Sequence, residues 1–194
     1  MTQIKNYNYS ETEVTMMLKD DTNGEFLWVG FTSDGSNCAL QKVSAHNPLQ
    51  VYFDFDIAVD VIKRAIISGS YIYVAVDDAT SIGKRYLIAN PLSTAIDFEI
   101  PAGITEAPVD VILRTNVYFL IPGNASGTNS KIVEFTISGT FVQTIDLTTV
   151  TNADKFTVDA NDEIQVVTFT SPAQVVRVFD LDSTPLYSST EITD

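Results

Sequence analysis

Cys38 and His46 are the only side chains here that could begin a nucleophile–base pair, since the 194 residues hold one cysteine and one histidine. A thiol becomes a nucleophile when an electropositive neighbour lowers its pKa, and Lys42 is the one cation close by in sequence. The stretch between them, Ala39 to Val43, reads as a short β-strand that would have to fold back for the two to meet. The residues therefore read as a small strand residue and a turn residue beside Asn47-Pro48. A lone cysteine makes no internal disulfide, and a lone histidine no multi-histidine metal site.

Carboxylates are the other chemistry-bearing groups. Hard cations want several oxygens converging at short range, and the clusters worth weighing are Asp20-Asp21 with Asn23, Asp54 with Asp56 and Asp60, Asp77-Asp78, and Asp180 with Asp182. The KDDTNG stretch puts Lys19 at the first ligand position of a calcium loop and Gly30 where its twelfth, a Glu, belongs. Asp54 and Asp56 alternate with Phe53 and Phe55, as solvent-facing strand residues do, and Asp97 and Asp146 recur at the same place later. Repeated outward carboxylates protect an outer sheet edge. Asp77 and Asp78, at the end of an apolar strand, are the best metal candidates, yet no metal site, no cofactor and no catalytic residue is expected.

Lys63-Arg64 and Lys84-Arg85 gather four of the eleven basic residues. They read as solvated strand ends or as a local attraction for an acidic partner. Trp28, Tyr73, Tyr118 and Phe119 could form a sugar platform, but their columns hold Val, Leu and Ile elsewhere in the chain, which points to core. Paired carboxylates for glycoside hydrolysis need a cleft that short loops build poorly. No Gly-rich phosphate loop, paired-cysteine zinc pattern or basic–aromatic interleaving is present. Twenty-five acidic residues against eleven basic ones leave a net charge of −14, which disfavours nucleic acid and anionic membrane as partners. The polar N-terminus and the longest apolar run, Ala65 to Val76 interrupted by Ser68-Gly69-Ser70, suggest cytoplasmic synthesis without a signal peptide or membrane span.

The elements that must position these groups emerge from self-comparison. Four apolar runs begin at Glu25, Tyr71, Val117 and Glu163, each 46 residues after the last, with matched columns such as Trp28, Val74, Leu120 and Val166. Turn residues precede each run: Asn23-Gly24, Gly69-Ser70, Thr115-Asn116 and Asn161-Asp162. Before those turns lie β-prone pieces, among them Val14 to Leu18, Ala65 to Ile67, Val109 to Leu113 and Phe156 to Val158. A third strand is expected at Ala39–Val43, Arg85–Ala89, Lys131–Ile137 and Val175–Asp180. A fourth, alternating one is expected around Phe53–Phe55, Ile96–Phe98, Ile145–Leu147 and Leu186–Ile192. The second strand is apolar nearly throughout, as a strand covered on both faces must be.

Units of this pattern, as in KIVEFTISGTFVQTIDL, resemble the loose NHL or YVTN kind of β-propeller repeat. The resemblance implies an all-β fold, a β-propeller of four four-stranded antiparallel blades, closed as a small ring or as an arc completed by an oligomer. The expected blades are residues 13–58, 59–104, 105–151 and 152–194, with residues 1–12, carrying Ile4, Tyr7 and Tyr9, as an extension that seals the ring or docks on a neighbour. The expected function is that of a non-catalytic structural or interaction propeller, a subunit of a larger assembly such as a bacteriophage virion (tail, neck or fibre), with protein partners in that assembly and a homo-oligomer as one option. A glycan- or peptide-binding propeller and a small hydrolase or lyase are the alternatives.

Overall fold

The structure is a computed structural model that describes residues 13–19, 26–32, 38–46, 51–57, 61–89, 96–123, 128–159, 163–170, 173–179 and 185–188. Residues 1–12, expected to form an extension, lie outside the described residues. The chain falls into two compact units, residues 1–62 and 63–194. Among the described residues the elements are all strands, grouped by chain order into four four-stranded sheets.

The first unit holds β1 (Glu13–Lys19), β2 (Phe26–Thr32), β3 (Cys38–Ser44) and β4 (Val51–Ile57), paired antiparallel in sequence order. Trp28, Cys38 and Leu40 are fully buried in it, and Val29 packs with Val43, Leu27 and Ala39. Three further sheets follow, lying in the second unit apart from the first two residues of β5. They are β5 (Val61–Ser68), β6 (Tyr71–Asp77), β7 (Ser81–Leu87) and β8 (Ile96–Glu99); β9 (Asp110–Leu113), β10 (Val117–Ile121), β11 (Lys131–Phe135) and β12 (Phe141–Asp146); and β13 (Ala153–Val158), β14 (Ile164–Thr170), β15 (Ala173–Phe179) and β16 (Pro185–Ser188).

Within the second unit the early strands of successive sheets approach each other: β6 meets β9, and both β9 and β10 meet β13. Every residue of β10 is buried because its two faces serve different neighbours. Val117, Phe119 and Ile121 pack with Tyr73, Ile82 and Phe98 of the preceding sheet. Tyr118 and Leu120 pack with Phe156, Ile164 and Val166 of the following one. A strand alternates sides every residue, so a run apolar at both parities is what two covered faces require.

Several strand limits differ from expectation. The third strand of the second sheet starts at Ser81, not Arg85, and ends at Leu87, with the Ile88 amide still donating to the Ser70 carbonyl at 2.9 Å. Ser81 and Gly83 hide that start because neither favours strands; a Cβ at Gly83 would fall inside the Phe119 ring, so glycine there lets two sheets close up. In the third sheet β11 ends at Phe135, and the fourth strand begins at Phe141, four residues before the alternating stretch that signals it.

Candidate functional site

Cys38 and His46 are not brought together. Cys38 is buried at the start of β3, in register with Thr32 and Ile57. His46 is exposed beyond the other end, its amide donating to Ser44 Oγ at 3.2 Å. Seven strand residues hold them about 20 Å apart. Lys42 lies over the Trp28 ring, 5.7 Å from its centroid.

The favoured carboxylates are engaged within the chain. Asp77 pairs with Lys63 at 3.4 Å. Asp78 Oδ2 accepts from Ser81 Oγ at 2.7 Å and Thr80 Oγ1 at 3.2 Å and lies 3.8 Å from Lys84 Nζ. Burial alone would raise the Asp78 pKa, but these donors and the ammonium outweigh it and hold the carboxyl below its ordinary value. Among the described residues no three His, Cys, Asp or Glu side chains gather as metal ligands do. Asp54 and Asp56 pair across β3 with Gln41 and Ala39. Asp20, Asp21, Asn23, Asp60, Asp180 and Asp182 lie outside the described residues. Asp97 and Asp146 are exposed on their outer strands, as the alternation foretells, while Trp28, Tyr73, Tyr118 and Phe119 are core.

All four residues of the basic pairs make ties within the chain, and Lys63 and Arg64 are also exposed to solvent. Lys84 Nζ meets Asp97 Oδ1 at 2.9 Å. The Arg85 guanidinium lies over the Tyr71 ring at 4.5 Å and donates to the Ile137 carbonyl at 2.6 Å. Arg64, on β5, reaches Asp110 of β9 at 3.5 Å, and Lys155 of β13 approaches the same carboxylate at 3.8 Å. Burial pushes the Asp110 carboxyl up, and Lys155, Arg64 and the backbone amides of Val111 and Phe156 oppose that rise. Three successive sheets are thus joined at one buried charge.

The sequence marks Arg64 as half of a basic pair but sets Asp110 and Lys155 apart in no way. The junction's signal was the repeat itself, because Arg64 and Asp110 stand 46 residues apart, in one column. A second unforeseen carboxylate, buried Glu134, accepts from Asn116 Nδ2 at 2.5 Å and Gln143 Nε2 at 2.7 Å. Further along the first strands a cleft of about 380 Å³ is lined by aliphatic groups of β5, β9 and β13 and by Arg114, which donates to the Val158 carbonyl at 2.8 Å. Among the described residues no aromatic side chain lines it.

The feature that contrasts with these internal ties is the hairpin between β11 and β12. Ile137, Phe141 and Val142 are 42%, 47% and 45% exposed. The turn beneath them is ordered by hydrogen bonds from Gly139 N to Thr136 O (3.0 Å), Thr136 N to Thr140 O (2.8 Å) and Thr140 N to Thr136 Oγ1 (3.0 Å). Beside it opens a groove of about 550 Å³, lined by Phe135, Phe141 and Gly139 on one side and by Asp97, Glu99, Ile100, Pro101 and Ala102 on the other.

Comparison with known proteins completes the picture. No protein-family model matches the chain, and neither does any curated protein. Solved structures do match. The AfRom2 CNH domain superposes with a TM-score of 0.58 at 8% identity, over 85% of this chain and 50% of that one. BBS1N, solved in complex with ARL6DN, gives 0.60 at 13% identity, over 94% and 56%. The Dos1 propeller gives 0.54 at 15% identity, over 88% and 46%. The fold is a β-propeller. The chain spans about half the length of each of these structures, and at such identities the likeness is one of fold.

Proposed function

We propose that the protein is a non-catalytic interaction propeller, a subunit of a larger assembly of which a bacteriophage virion is the specific case, built from NHL- or YVTN-like blades. The observation that carries this reading is the β11–β12 hairpin, whose exposed apolar side chains are fastened in place rather than loosely displayed. Monomeric surfaces scatter their apolar residues; a clustered set held rigid beside a groove is what an interface presents. The structure of BBS1N with ARL6DN supports it by analogy, since that structurally similar chain engages another protein.

The test is site-specific photocrosslinking in the protein's native assembly. A crosslinker at Val142 should join a second polypeptide, while one at exposed Thr105 should not. Absence of adducts from Val142 and from a scan of other exposed positions would overturn the interaction reading.

A further inference from the structure

We infer that the groove beside β12 accepts an extended segment of a partner protein, which sets one large apolar side chain against Phe141 and a Lys or Arg opposite Glu99 and Asp97. This deepens the interaction reading and rests on it.

The strand register makes the surface. Phe135 pairs with Phe141 and Glu134 with Gln143, so Val142 is an extra residue, a β-bulge. The strand is exposed at four consecutive positions, Phe141 to Thr144, and Phe141 and Val142, the latter the extra residue, are the apolar pair among them, each about half exposed. Phe141 is still supported from below, edge-on to Phe135 at 5.8 Å, and Phe135 stands edge-on to Phe98 at 5.4 Å. The exposed ring therefore caps an aromatic stack that reaches into the core. Its position costs little further ordering on binding, the property that marks anchoring residues at interfaces.

The shape and the edge specify an extended occupant. β12 ends its sheet and is hydrogen-bonded within it to β11 alone. A segment lying along such an edge can feed alternate side chains into adjoining pockets, and a groove of about 550 Å³ has room for more than one of them.

Charge decides between partners. Asp97 and Glu99 lie on the groove wall, and among the described residues no basic side chain lines it. Asp97 is 55% exposed although Lys84 holds one of its oxygens. A second copy of the chain would bring another net charge of −14 to an acidic groove, whereas a basic residue beside the apolar anchor is attracted there.

The proposal is tested by selecting a display library of random linear peptides against the full chain. Affinities of enriched peptides are then measured for the wild type, Phe141→Ser and Glu99→Lys. Enriched sequences should pair a large apolar residue with a neighbouring Lys or Arg, and each substitution should weaken them about tenfold. Glu99→Lys changes an exposed side chain, so it carries the test even where Phe141→Ser harms folding. The inference falls if no such sequences are enriched, if neither substitution weakens them, or if light scattering shows self-association that Phe141→Ser abolishes. Crosslinks from Val142 to another protein, persisting when the peptides fail, would leave the interaction reading standing and sink only this description of the partner.

Discussion

Asp110 sits between Arg64 and Lys155 with its side chain 7% exposed. Because burial raises its pKa above the unfolded value, the native state binds a proton more tightly than the unfolded chain. Its contribution to stability therefore grows as pH falls from the raised value to the ordinary carboxylate value, and levels off below that. Asp110→Asn lacks this titration. Chemical denaturation of both proteins across the acid range should show the wild type gaining on the variant as pH falls; a constant difference would contradict the assignment. Gly83 is a second critical position. Gly83→Ala should cost about 1–3 kcal/mol by driving a methyl into the Phe119 ring, read as a lower urea midpoint.

Among the elements, the β11–β12 hairpin depends on its neighbours for its shape. Arg85 of β7 grips the Ile137 carbonyl from the adjacent sheet. Arg85→Ala should speed amide hydrogen exchange in residues 137–140 while leaving β10 protected, because β10 is buried on both faces. Gly139 has φ of 92°, and a Cβ there would collide with Ile96 Cγ2. Gly139→Ala should therefore destabilise by about 1–2 kcal/mol, measured by the same denaturation.

At the scale of the whole molecule, stability in the second unit is shared between faces that meet in neighbouring pairs. Phe119 belongs to the cluster joining the second and third sheets, and Ile164 to the one joining the third and fourth. Phe119→Ala should cost about 3–5 kcal/mol and Ile164→Val about 0.5–1.5 kcal/mol. The double variant should add to within about 0.5 kcal/mol, as expected where each repeat interacts with its nearest neighbours. Strong coupling in the cycle would mean that the two faces act as one core.

The 46-residue columns, with the turn residues and strand alternation around them, determined that the chain is all-β, that sheets of four strands recur, and that Trp28, Tyr73, Tyr118 and Phe119 are core. Strand periodicity and double coverage are local properties, written in which residues are apolar. The alternation at Ile96-Asp97-Phe98 likewise disclosed the outward carboxylate. Local pattern was silent where function depends on what stands opposite. Asp110, flanked by Val109 and Val111, reads like any strand residue facing water until Arg64 and Lys155 from the adjoining sheets close over it. Phe141 carries no mark in its own sequence of the exposure that the end of the sheet gives it. A side chain's burial follows from its own strand only as far as the neighbour across from it is known, and that neighbour is set by how the sheets stack.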